Sequence, residues 1–172
     1  VLTRYGLEAP ASITKYLGEA KVESPKPGHP TLSDAQFHII ASAKDALKAA
    51  AKAAKKNGFD AIILGDDIQG EARKVAKIHA NIAQKYLNTG KPTVLISGGE
   101  TTVKINGSGA GGPNTEYALA LSIALHNTPD IYAIACDTDG IDGSEDNAGA
   151  TIYPDTILRA QRFGLNPHLF LE

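Results

Sequence analysis

The chain has 172 residues, a formal net charge of −2, 42% hydrophobic and 21% charged residues. This composition is ordinary for a globular protein, so disorder is not the default reading, and the absence of a long basic run argues against a nucleic-acid-binding face. No uninterrupted apolar run nears the roughly 18–20 residues of a membrane span. Cys136 is the only cysteine, so an intrachain disulfide is excluded and a reducing, cytoplasmic location is expected.

Val1 to Gly6 reads as the last turn of a helix closed by glycine. A short helix is expected over residues 12–17, ended by Gly18. Pro25, Pro27 and Pro30 make residues 24–33 an extended linker, because proline fixes φ and disfavours helix at the residue before it. Phe37, His38, Ile39 and Ile40 form a β-rich run, predicted as a strand. Residues 43–57 read as a helix with Ala43, Ala46, Leu47, Ala50 and Ala54 on one stripe and Gly58 as the stop. A strand is expected over residues 61–64. A second helix follows over residues 70–88, with Ala72, Val75, Ala76, His79, Ile82, Ala83 and Tyr86 on one face. A third strand covers residues 93–96. Strands and helices alternating at this spacing imply a parallel sheet with right-handed crossovers. Strands apolar throughout imply that both faces are covered. The expected fold class is therefore α/β, a mostly parallel sheet with helices on both faces.

The second half has richer loops. A short strand is expected at residues 102–105, then a glycine loop at 106–113 and an almost wholly apolar helix at 114–126. A strand at 131–136, an acidic loop at 137–147 and a helix at 154–163 complete the reading. The chain contains no Met and stops within an apolar segment, so a piece of a longer chain is expected.

Ligands of open α/β sheets bind beyond the carboxyl ends of strands, which directs attention to three segments. In the first, Gly98 and Gly99 would let backbone amides approach an anion. Thr101 stands beside them as a further cofactor-binding candidate, and Glu100 would bind a metal or a hydroxyl. In the second, Gly107, Gly109, Gly111, Gly112 and Asn114 lead into a helix and suit a phosphate cradle, with Asn114 or Thr115 as cap. This run also satisfies G-x-G-x-x-G, but no Gly-Lys-Ser/Thr closes it as in a Walker A loop. The third carries Asp137, Asp139, Asp142, Glu145 and Asp146. So many carboxylates are costly unless a cation is shared, and Mg²⁺ held by one or two of them together with substrate phosphates is the natural occupant. Asp137, Asp139 and Asp142 are the expected metal ligands. Glu100, Lys104 and Asp139 are the catalytic candidates, Lys104 because it lies beside both glycine segments. The Gly65-Asp66-Asp67 segment after a strand is expected either to reach the site or to cap a helix. His79 is expected as a satisfied core histidine, and Cys136 as a small hydrophobe ending a buried strand.

These segments, in this order, resemble the C-terminal MOFRL domain of glycerate 2-kinases. The resemblance is carried by Gly98-Gly99-Glu100-Thr101-Thr102-Val103, by the glycine loop entering Asn114-Thr115-Glu116, and by Asp137-Thr138-Asp139-Gly140-Ile141-Asp142-Gly143. Some members of that family are labelled hydroxypyruvate reductase of tartrate degradation. Residues 36–92, with Gly65-Asp66 and Gly70-Glu71-Ala72, resemble the end of the family's preceding domain. The implied organisation is a partial helix and Pro-rich linker at 1–34, the end of the preceding α/β domain at 35–92, and a truncated MOFRL-like domain at 93–172. The implied activity is ATP-dependent phosphorylation of glycerate with Mg²⁺, in a cleft between two domains of a larger enzyme. The implied partners are a small-molecule substrate, glycerate or hydroxypyruvate, and an N-terminal domain of the same chain; a homodimer is a further expectation. Many members carry a basic residue where this chain has Pro113. Two other readings stand beside this one. The glycine fingerprint with Asp137 at the end of the next strand suits an NAD(P)H-dependent hydroxypyruvate reductase, and a non-catalytic ligand-binding module is the third.

Overall fold

A computed structural model of the chain describes residues 2–19, 23–107, 109–144 and 146–171. The chain divides into two compact units, Val1–Ile40 and Ala41–Glu172. Among its described residues the first holds helices α1 (Leu2–Tyr5) and α2 (Ala11–Glu19) and a 3-10 turn, Pro30–Leu32. Helix α2 runs through Gly18, the expected stop, and has no buried residue. Phe37, Ile39 and Ile40 are exposed and lie in irregular backbone. The predicted strand there is absent, because β propensity without a partner to hydrogen-bond makes no strand.

The second unit begins with α3 (Ala43–Lys56). Ser42 accepts a hydrogen bond from the Asp45 amide at 3.3 Å, and the Asp45 carboxylate accepts one from the Ser42 amide at 3.1 Å. This reciprocal cap fixes where the helix starts. Its inner stripe is Leu47, Ala51 and Ala54, narrower than expected, since Ala43, Ala46 and Ala50 are exposed. Strand β1 (Asp60–Glu71) leads into helix α4 (Ala72–Tyr86), which returns the chain to strand β2 (Thr93–Thr102). β1 and β2 pair in parallel, from Asp60 opposite Thr93 to Glu71 opposite Thr102, with irregularities around Gly65. Helices α3 and α4 both pack on this pair. The α/β reading therefore holds, with a parallel pair and covering helices.

Both strands run further than the apolar pattern indicated. Gly65, Asp66 and Asp67 lie within β1, and Ser97 through Thr102 lie within β2 rather than in a loop after it. Gly99 explains how β2 continues. Its φ is +152°, and a side chain there would overlap the backbone of Ile68 on β1. Only glycine permits so close an approach. The strand expected at residues 102–105 is absent, as β2 ends at Thr102.

Helix α5 (Pro113–Leu125) is apolar nearly all round because it is packed on several sides. It lies against α4 and touches strands β3 (Ala133–Cys136) and β4 (Gly149–Ile152). Ala76 and Ala80 of α4 meet Ala118 and Leu121 of α5 in the core, with Leu125 and Ile152 beside them. Small alanines let the two helices approach closely, and this packing supplies the main hydrophobic stabilisation. β3 and β4 form a separate antiparallel pair, from Ala133 opposite Ile152 to Cys136 opposite Gly149. β4 was not foreseen, and the second half does not extend the parallel sheet. Ala133, Ala135 and Ala150 face the core, whereas Tyr132 and Ile134 are exposed. Cys136 is also exposed, contrary to expectation, because it lies on this outer face. Helix α6 (Thr156–Arg162) and a 3-10 turn, Pro167–Leu171, follow. Among the described residues no helix is long and apolar enough to cross a membrane.

Candidate functional site

A buried polar junction lies at the start of α5. Asp142 is 1% exposed. Its Oδ1 accepts hydrogen bonds from the Asn114 amide at 2.9 Å and from Asn114 Nδ2 at 3.1 Å. Its Oδ2 accepts one from the Thr115 amide at 2.8 Å. Thr115 Oγ1 in turn accepts from the Gly112 amide at 2.9 Å. The expected capping role of this pair is met by Thr115, and a carboxylate from the acidic loop completes it. Burial pushes the Asp142 carboxyl up, but its hydrogen bonds from the Asn114 and Thr115 amides and side chains outweigh this and hold it below the usual aspartate value. The positive end of the helix favours the charge further.

The glycines at this junction are a steric requirement. A side chain at Gly112 would strike Asp142, and one at Gly143 (φ +67°) would strike the Gly111 carbonyl. The glycine loop and the acidic loop, far apart in sequence, are thus in direct contact.

The parallel pair is joined to the same place. Arg73, in the first turn of α4, donates from Nε to Glu116 Oε1 at 3.0 Å and from an η nitrogen to Glu116 Oε2 at 3.1 Å. Glu116 belongs to the first turn of α5. Arg73 Nε is also 3.4 Å from Glu71 Oε1, and Lys74 is 2.7 Å from Glu71 Oε2. Glu71 ends β1 opposite Thr102. Lys74, then Arg73 and Lys104, hold the Glu71 carboxyl below its usual range, so Lys104 lies within electrostatic reach of this end of the sheet.

The remaining predicted residues surround the junction to different degrees. Asp137 is half-buried and Asp139 is exposed. The Asp139 amide donates to Asp137 Oδ1 at 3.4 Å, and the Ile141 amide to Asp139 Oδ1 at 3.0 Å. These local turns leave Asp137 and Asp139 a second oxygen each, while Asp142 has both oxygens engaged. Gly107, Gly109 and Gly111 are exposed, as are Glu100 and Lys104; Gly98 and Thr101 are half-buried, and Gly98 abuts Leu47. Among the described residues no three His, Cys, Asp or Glu side chains gather closely enough to hold a metal ion by themselves. Sequence reasoning missed Arg73 and Glu116. A buried-face helix carrying an arginine in its first turn was the available signal.

His79, as expected, is a core residue. It is 9% exposed and its Nδ1 is 2.8 Å from the Tyr117 hydroxyl.

Comparison with known proteins gives this α/β arrangement its place. The chain is 32% identical to a glycerate kinase of Thermotoga maritima, whose crystal structure superposes with a TM-score of 0.77 over 99% of this chain and 40% of that one. An Agrobacterium vitis protein provisionally named a hydroxypyruvate reductase is 41% identical over 100% of this chain and 40% of its own length. A glycerate 2-kinase of Pyrococcus horikoshii is 37% identical over 78% of this chain and 31% of its own length. The chain thus spans two fifths or less of these relatives. Residues 93–172 match the MOFRL family.

Proposed function

We propose that this chain supplies the C-terminal part of an ATP-dependent glycerate kinase. The observation that carries the reading is the junction at α5, where Asp142 binds the glycine-loop helix to the acidic loop. The similarity to glycerate kinases over nearly the whole chain supports it.

Phosphoryl transfer needs mainly positioning and neutralisation of charge. The amides of the exposed loop through Gly107, Gly109 and Gly111 would bind phosphate oxygens. The amides of Asn114 and Thr115 already hold Asp142, so this helix end organises the site rather than receiving the phosphate. Asp142 accordingly acts as an internal anion, and Asp137 and Asp139 would hold Mg²⁺. That donor set fits the ion, which takes one or two carboxylates and completes its shell with water and substrate phosphates. When bound, Mg²⁺ neutralises the charge on the phosphates. Lys104 would add a second positive charge. Glu100, in the carboxyl half of β2, would accept a hydrogen bond from a substrate hydroxyl. Gly98, Gly99 and Thr101 carry the strand to that point.

The reductase reading is weaker. A dinucleotide fingerprint needs a strand directly before the glycines and a parallel strand after the helix. Here residues 103–112 separate β2 from α5, and β3 pairs antiparallel with β4 in another sheet.

ADP release by the native full-length protein, measured with glycerate and Mg²⁺ in a coupled assay, tests the proposal. Glycerate-dependent release that falls at least tenfold in Asp139→Asn is expected. Oxidation of NADH by hydroxypyruvate with no glycerate-dependent ADP release would overturn it.

A further inference from the structure

We infer that Arg73 is a positioning residue that fixes the amino terminus of α5, and with it the Asp142 junction, against the carboxyl end of the parallel pair. The inference rests on the proposed function for its kinetic part only.

Three elements meet at this one guanidinium. It belongs to α4, it lies 3.4 Å from the carboxylate that ends β1, and it grips the first turn of α5 with two parallel bonds of 3.0 and 3.1 Å. Lys74 occupies the other oxygen of Glu71 at 2.7 Å, which leaves the fork of Arg73 turned to Glu116. The planar fork matches a carboxylate with two fixed bonds, a geometry lysine lacks. The side chains are 25% and 17% exposed, so water screens this pair less than a surface pair.

Its position separates this role from general stability. The α4–α5 contact is already packed through Ala76, Ala80, Ala118 and Leu121. Arg73 lies one turn before Ala76, at the end of that contact nearest Asn114 and Thr115. Loss of the clamp would therefore release the end of α5 without opening the core, since helix ends can open locally while their packed middles stay closed.

Two measurements on the native full-length protein test this. Amide hydrogen exchange is followed in Arg73→Lys and in the double variant Arg73→Met/Glu116→Leu, which leaves no unpaired buried charge. Exchange at Asn114 and Thr115 is expected to quicken at least tenfold in the double variant, with residues 118–125 unchanged, and Arg73→Lys should lie between it and wild type. Steady-state kinetics should show kcat for ADP release reduced at least tenfold in the double variant and partly restored in Arg73→Lys. Unchanged exchange at Asn114 and Thr115, or a uniform increase along all of α4 and α5, would overturn the inference. If wild type lacks glycerate-dependent ADP release, the functional reading fails and the exchange result alone decides the role of Arg73.

Discussion

The carboxylate of Asp142 accepts a hydrogen bond of 2.8 Å from the backbone amide of Thr115, 27 residues earlier in the chain. A helix of which the first residue is Pro113, with no amide hydrogen of its own, is thereby capped from a distant loop. Asp142→Ala removes the acceptor of three hydrogen bonds and leaves two helix amides unpaired. Stability should fall by about 1–3 kcal/mol, read from urea unfolding. The sign with pH follows. The folded carboxyl titrates below its unfolded value of about 3.9, so its stabilisation is present above that pH and is lost as pH falls through the folded value. Asp142→Asn should show a shallower loss of stability below about pH 4.

His79 and Tyr117 predict two further pH limits. Burial lowers the His79 pKa, and burial raises that of the Tyr117 hydroxyl to about 12. Stability from neutral His79 is full above its unfolded value of about 6.5 and declines as pH falls below it. Stability from protonated Tyr117 is full below its unfolded value of about 10 and declines as pH rises toward about 12. The melting temperature of wild type should therefore drop on both sides, and Tyr117→Phe should abolish the alkaline decline. That variant should also lose about 0.5–1.5 kcal/mol at neutral pH.

Leu121 is 5% exposed at the centre of the α4–α5 contact. Leu121→Ala leaves a cavity and should cost about 2–5 kcal/mol in chemical unfolding. The surface substitution Lys77→Ala, on the exposed side of α4, should change stability by less than about 0.5 kcal/mol.

Gly99→Ala tests why β2 is longer than its apolar run. The substitution combines a φ of +152° with overlap of the Ile68 backbone. Expression of folded protein should fall sharply, whereas Gly109→Ala, with open space around it, should fold normally, as circular dichroism would report.

The helices α3, α4 and α5 and the strands β1 and β2 were legible in the sequence, because period and glycine placement are local signals. Other features depended on tertiary context. Ser97 to Thr102 has the composition of a turn, yet pairing with β1 draws it into a strand. Gly149 to Ile152 is short and lacks a strong strand pattern, and its antiparallel pairing with β3 fixes it. Phe37 to Ile40 has the composition of a strand and lacks the pairing. Asp142 was expected as a metal ligand, and the structure instead engages both its oxygens with Asn114 and Thr115. A cap donated across 27 residues leaves no spacing rule to find, and neither does the Arg73–Glu116 pair.

The most direct test of the account is ³¹P NMR of the native full-length protein incubated with glycerate, ATP and Mg²⁺. The account predicts a new phosphomonoester resonance growing as the γ-phosphate of ATP disappears, with its appearance slowed in Asp139→Asn. ATP left intact, or converted only to ADP and inorganic phosphate, would contradict it.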